Sequence, residues 1–174
     1  MPASEKTSKF TPELRRKAVV LAAKIGALFL IVYITFFRLY GLTFIDTDSM
    51  SPRISGGDLA TIYRLDGEYK NGDVLLYEKD GRQQVGRVVA LSGDTIDQVD
   101  GKFQINGHNE EVVYYGNNGI TDISNVSYPY KVADKQVFVL GDNRDNQNDS
   151  RKFGAINYSE IKGRIIGVFR TNAI

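Results

Sequence analysis

Residues 47 to 58 read TDSMSPRISGGD, and the chemistry such a stretch supports is acyl transfer by a serine. Ser49 stands before Met50 and Pro52, and a Gly57-Asp58 turn follows. A neutral hydroxyl is a weak nucleophile, so a base must lie within hydrogen-bonding reach to take its proton. The chain narrows the choice of base. Cysteine is absent, which excludes a thiolate nucleophile, a disulfide framework and a cysteine-based zinc site. The single histidine, His108, cannot build a metal cluster by itself, and no phosphate loop is present. Neither a metal nor another cofactor is expected.

The elements that must position Ser49 are strands. DLATIYRL, DVLLYEKD, QQVGRVVAL, DTIDQV, KFQING, KQVFVLGD and GRIIGVFRT are short runs rich in Val, Ile, Tyr and Phe, with turn signals between them. Asp80-Gly81 and Asp100-Gly101 suit two-residue hairpins, because positive φ at both residues matches the twist of the flanking strands. The expectation is a mainly β body with an antiparallel sheet. Helical periodicity is weak there, with only residues 157 to 161 readable as a short turn. Residues 109 to 131 are polar, contain NNG at 117 to 119, and read as an exposed excursion or long loop.

Upstream of the body, Ala18 to Phe37 form a run of twenty residues in which only Lys24 is charged. As a helix it covers about 30 Å, one hydrocarbon core. Residues 1 to 38 carry a net +5, leaving −4 for the rest of a chain whose total is +1. A basic segment beside an apolar run points to a membrane, and a slightly acidic body argues against nucleic acid. Arg15-Arg16-Lys17 is expected to hold the N-terminus in the cytoplasm, with Tyr33, Phe36, Phe37 and Tyr40 at the outer interface. The run continues into bulky FFRLYGLTF rather than a small-residue cleavage site, so an uncleaved single-pass anchor is expected. The organisation is then a cytoplasmic basic N-terminus over 1–17, a transmembrane anchor over 18–38 and an extracellular β domain over 39–174. A length of 174 residues suits one domain with an anchor.

The blocks fall into a recognisable order. An N-terminal anchor precedes Ser49-Met50-Ser51-Pro52 with Gly57-Asp58, then GDVLLY at 72 to 77, RVVALSGD at 87 to 94, and GDNRDN at 141 to 146 with Asp149-Ser150-Arg151 and Phe153-Gly154. This order resembles the type I signal peptidase family, membrane-anchored serine proteases that remove signal peptides, and the resemblance spans nearly the whole chain. It implies a coiled antiparallel β-sheet ectodomain and a Ser-Lys dyad in which burial lowers the lysine pKa so that it can accept the serine proton. Ser49 matches the nucleophile. Thr47 matches a hydroxyl that joins the Ser49 N–H in the oxyanion hole. Asp142, Asn143 and Arg144 match the turn that shapes the site, and Asp149 and Arg151 flanking Ser150 match a supporting ion pair.

Two positions depart from the pattern. The family lysine immediately precedes the Arg-Val pair, and here that place is Gly86, which has no side chain to hold a proton. The serine that orients the lysine is replaced by Gln147. Other bases are poor substitutes. Asp48 adjoins Ser49 but points to the opposite face of an extended segment, and an ordinary carboxylate is too weak a base for a hydroxyl. His108 belongs to an exposed hairpin, and Lys70 and Lys79 border turns. Arg53, in place of a more usual threonine, adds a charge near the cleft.

The vacant base position resembles the divergent, pilus-associated SipA-type members of that family in Gram-positive bacteria. That resemblance implies an accessory or chaperone in pilus assembly without peptidase activity, whose cleft binds an exported polypeptide such as a pilin, or sortase, by strand addition. Two other readings stand beside it. One is an active signal peptidase using Ser49 and an unrecognised base, and the other is a membrane-linked scaffold that binds no peptide.

Overall fold

The computed structural model describes residues 11–64, 67–110 and 125–170, and they divide into two units on either side of Arg38 and Leu39. The first unit is helix α1, Pro12–Leu39. It begins before the apolar run because Pro12 suits a first helical turn and Arg15, Arg16 and Lys17 are good helix formers. Glu13 lies in the first turn and Arg38 in the last, each matching the helix dipole. No residue of α1 is buried, and Val19, Phe29 and Ile31 are all more than half exposed. A soluble core helix would hide such side chains, so α1 has the length, composition and exposure of a membrane span.

The second unit is mainly antiparallel β. Its strands are β1 Tyr40–Phe44, β2 Leu59–Tyr63, β3 Val74–Lys79, β4 Arg82–Ala90, β5 Thr95–Val99, β6 Lys102–Ile105, β7 His108–Asn109, β8 Tyr130–Lys131, β9 Gln136–Leu140, β10 Ile156–Asn157 and β11 Ile161–Phe169. Among the described residues they form a seven-stranded sheet in the order β1-β2-β11-β3-β4-β9-β10, and a four-stranded sheet in the order β7-β6-β5-β8. Each of the seven strand-like runs becomes a strand. The hairpin dipeptides behave as their chemistry requires: Asp80-Gly81 and Asp100-Gly101 have φ of 51° and 73°, and 48° and 79°. The excursion expected at 109 to 131 lies, over 111–124, outside the described residues, as do residues 1–10 of the basic N-terminus. At its flanks β7 and β8 join the smaller sheet.

Alternation explains the core. Leu75 and Tyr77 of β3, Val88 of β4 and Val137 and Val139 of β9 pack one face of the larger sheet with Ile156. Leu76 and Val85 pack the other with Ile45, Met50, Ile54, Ala60 and Ile62. A third cluster, including Val89, Ile96, Phe103, Val132 and Phe138, joins residues of the two sheets. Each fully buried side chain of this size contributes about 1.5–3 kcal/mol, so β3, β4 and β9 form a rigid floor. The site is built on that floor.

Candidate functional site

Ser49 sits in the loop between β1 and β2, whose base is closed by Ile45 N–H to Asp58 C=O (2.9 Å) and Gly57 N–H to Ile45 C=O (2.8 Å). Residues 48 to 51 form a turn, with Ser51 N–H donating to Asp48 C=O at 3.1 Å. This corrects the extended geometry expected around Asp48. Its carboxylate accepts the Gly56 N–H at 2.9 Å and so braces the loop. Met50 is buried and anchors the turn in the core. Ser49 itself is 1% exposed. Its hydroxyl donates to the Val85 carbonyl oxygen at 2.8 Å, and its N–H donates to Thr47 Oγ1 at 3.2 Å. The two groups expected to face a substrate carbonyl therefore face each other in this state.

Gly86 lies at the centre of β4, paired with Leu75 of β3. A side chain there would leave the strand against Val139, whose Cβ and Cγ2 lie 3.2 and 3.3 Å from the ideal Cβ position. The position at which the resemblance leads one to expect a lysine is thus tight as well as without a side chain. Among the described residues no replacement base bonds Ser49. Lys79 is held by Glu160 at 2.8 Å, Lys70 is exposed, and His108 is exposed in β7. Tyr77 shares the Gly86 face and is fully buried, and among the described residues its hydroxyl has no hydrogen-bond partner. Burial, reinforced by the Asp149 charge, pushes its phenol far above the ordinary tyrosine range, so it cannot act as a phenolate.

The frame around this gap is complete. Asp142 is buried and receives Arg87 through Nε (2.8 Å) and Nη2 (2.6 Å), while Arg87 Nη1 reaches Gly72 C=O at 2.7 Å. The hydrogen bonds that Arg87 donates to Asp142 raise the guanidinium pKa above the ordinary arginine range, against the opposing effect of burial. Arg53 Nη1 approaches the same carboxylate at 3.4 Å, which places the extra charge of this loop at the site. Asn143 N–H donates to Ser49 C=O at 2.9 Å and Asn143 Nδ2 to Asp48 C=O at 3.3 Å. Gly141 must be glycine, because a Cβ there would lie 2.6 Å from the Ser49 carbonyl oxygen.

Asp149 caps the short helix α2, Ser150–Phe153, by accepting Arg151 N–H at 3.0 Å. It also accepts Gly141 N–H at 3.0 Å and pairs with the Arg151 guanidinium at 2.9 and 2.8 Å. Arg151 in turn donates to the carbonyls of Arg144 (3.0 Å) and Asn146 (2.7 Å). Ser150 Oγ accepts Val139 N–H at 3.0 Å, tying α2 to β9. Gln147 is half-buried between these straps. Arg144 is buried and forms a pair with Glu110 that the sequence did not suggest, because the two lie 34 residues apart.

One side of β4 is open. Residues 82 to 87 pair with β3, but β9 pairs only with Arg87, Val88 and Ala90. Among the described residues, no strand covers the other side from Arg82 to Gly86. The Val85 carbonyl points to that side, since it meets Ser49, and by alternation so do the backbone groups of Gln83. Pockets flank the edge on both faces. One includes Leu42, Ile62, Leu76 and Gln83 in its lining, and the other Arg82, Gln84, Asn148 and Lys152. The edge, the Val85 acceptor and Glu110 were not legible in the sequence; Val85 could have been found only from the register of VGRVV against a neighbouring chain segment.

A family model described as "Signal peptidase, peptidase S26" matches residues 16–170. Signal peptidase I S of Bacillus subtilis (strain 168) is 30% identical over 136 residues, covering 72% of this chain and 74% of that protein. Inactive signal peptidase IA of Staphylococcus aureus is 24% identical over 159 residues, covering 87% of this chain and 91% of that one. A solved signal peptidase I from Enterococcus faecalis V583 is 24% identical, with a TM-score of 0.44 over 56% of this chain and 96% of that one.

Proposed function

The chain belongs to the signal peptidase family, peptidase S26, and from that premise we propose a membrane-anchored member without peptidase activity that holds an extended exported polypeptide along the open edge of β4. One observation carries the reading: the Ser49 hydroxyl donates its hydrogen bond to the Val85 carbonyl, beside a Gly86 that offers no base. A carbonyl oxygen accepts a hydrogen bond but does not take the proton, so Ser49 is not activated. That an inactive signal peptidase IA is among the relatives is consistent with such a member.

The binding role uses what remains. With the Val85 carbonyl taken by Ser49, the outward backbone groups of Gln83 are what this edge offers to an added strand, and the flanking pockets receive its alternate side chains. The basic flank of α1 supports a cytoplasmic N-terminus with the β unit outside, where exported chains pass. The partner is an exported polypeptide such as a pilin, or sortase, and the role is that of an accessory or chaperone in pilus assembly. Crosslinking of the full-length protein with pilin and sortase ectodomains should capture one of them; capture of neither removes the assembly role.

A second reading is an active signal peptidase, favoured by the retention of Ser49 itself. Incubation of the purified protein with a signal-peptide substrate separates the two. We expect no cleavage. Cleavage lost in Ser49→Ala would overturn the inactive reading.

A further inference from the structure

We infer that the open edge of β4 prefers a strand that alternates apolar with acidic side chains, the acidic ones being received by a basic pocket at Arg82 and Lys152. This rests on the reading that an extended polypeptide binds at that edge, and it names the chemistry of that polypeptide.

Alternation divides β4 into two faces. Gln83, Val85 and Arg87 share one, and Arg82, Gln84 and Gly86 share the other. Directly opposite Gly86, Gln84 and Arg82 on β3 stand Leu75, Tyr77 and Lys79. A strand laid along Gln83 and Val85 must project its own side chains alternately to these two faces. On the Gln83 face the lining is mixed: Leu42, Ile62 and Leu76 suit apolar side chains, and of its two cations, Arg64 and Lys162, Lys162 is matched by Glu78 at 2.8 Å.

The Gln84 face is different. Its pocket is lined by Lys79, Asp80, Arg82, Gln84, Asn148 and Lys152, with Asn125 and Phe153 completing it. Lys79 is already matched by Glu160 at 2.8 Å and lies 5.6 Å over the Phe153 ring. Asp80 belongs to the β3–β4 turn and is, among the described residues, the one carboxylate of the lining. Arg82 and Lys152 are exposed, and among the described residues neither pairs with a carboxylate. Among the described residues, Lys152 Nζ donates to Asn148 Oδ1, at 3.3 Å. Gln84 is 8% exposed and lines the same pocket, where its amide can donate to a carboxylate that Arg82 holds. Among the described residues, two uncommitted cations against one turn carboxylate leave the pocket positive, and a planar guanidinium favours a carboxylate over a neutral amide.

Full-length protein in detergent is titrated with three short synthetic peptides of the same alternating apolar pattern, bearing Glu, Gln or Lys at the remaining positions. Fluorescence anisotropy should rank Glu above Gln above Lys at low salt, with Glu about tenfold tighter than Lys and the difference shrinking as salt rises. The double variant Arg82→Glu, Lys152→Glu should reverse the order of the Glu and Lys peptides and leave the Gln peptide within about twofold. Both residues are exposed, and equal melting of variant and parent confirms that the fold is retained; the neutral pair Arg82→Gln, Lys152→Gln should merely erase the ranking. Equal binding of the Glu and Gln peptides, or an unchanged order in the reversed variant, overturns the acidic preference and leaves edge binding standing. Binding of no peptide overturns both. Mass spectrometry of the same mixtures reports cleavage separately, so a failure of the inactive reading is not mistaken for a failure of this one.

Discussion

The Ser49 hydroxyl lies 2.8 Å from the Val85 carbonyl oxygen and donates its hydrogen bond there. In a buried turn this is a structural bond, and its loss leaves a buried acceptor without a partner. Ser49→Ala should therefore destabilise the protein by about 1–2 kcal/mol in chemical denaturation, while a serine-directed phosphonate leaves the parent unlabelled. Labelling at Ser49 that disappears in the variant would show that some group does take the proton.

Gly86 faces Val139 at contact distance, so restoring the lysine alone should not restore an enzyme. Gly86→Lys should lower stability by about 1–3 kcal/mol through overpacking and give no turnover. Adding Val139→Ala for room and Gln147→Ser for orientation should give measurable cleavage of a signal-peptide substrate. The pH profile carries the mechanism. A buried lysine acts as a base only when neutral, so activity should climb with pH through a pKa depressed below the ordinary lysine value. A flat profile, or activity in Gly86→Lys alone, would contradict the packing argument.

Glu160 supplies a pH test of the frame. Burial pushes its pKa up, but hydrogen bonds from Lys79 and from the Asn157 backbone and side chain outweigh it, and the net direction is down. A carboxylate depressed in the folded state contributes stability that is fully present above its unfolded pKa, about 4.3, and is lost as pH falls through the lower folded value. The melting difference between the parent and Glu160→Gln should be constant near neutrality and shrink below about pH 4. A difference that grew on acidification would reverse the assigned sign.

Strands were legible where local chemistry decides them. VLLYEK and QVFVL carry β-branched and aromatic residues that only a sheet core buries, and Asp80-Gly81 bends in one favourable way. β1 was hidden, because Tyr40–Phe44 continues the apolar run before it and leaves Leu42 and Phe44 exposed. Helix α2 spans four residues, too few to show a period. Sheet order was illegible, since β11 inserts between β2 and β3 through long-range register. At the site, side-chain identities such as Ser49, Gly86 and Asp149 could be read directly. The Val85 acceptor and the open edge of β4 could not, because both are backbone features that exist only once β9 stops short.

The Asp149–Arg151 pair is the strap on which that geometry depends. Both are nearly fully buried, and together they hold Gly141 N–H and the carbonyls of Arg144 and Asn146. Gly141 in turn packs against the Ser49 carbonyl, and Asn143 bonds it. Asp149→Ala strands a buried guanidinium and should cost about 3–5 kcal/mol, with amide exchange rising at Gly141 and Asn143 before the sheet opens. The double variant Asp149→Leu, Arg151→Met removes both charges and should recover part of the stability. It should not recover protection at Gly141, whose N–H still lacks an acceptor. Full protection at Gly141 in the double variant would mean that the turn is held by the β9 core and not by the ion pair.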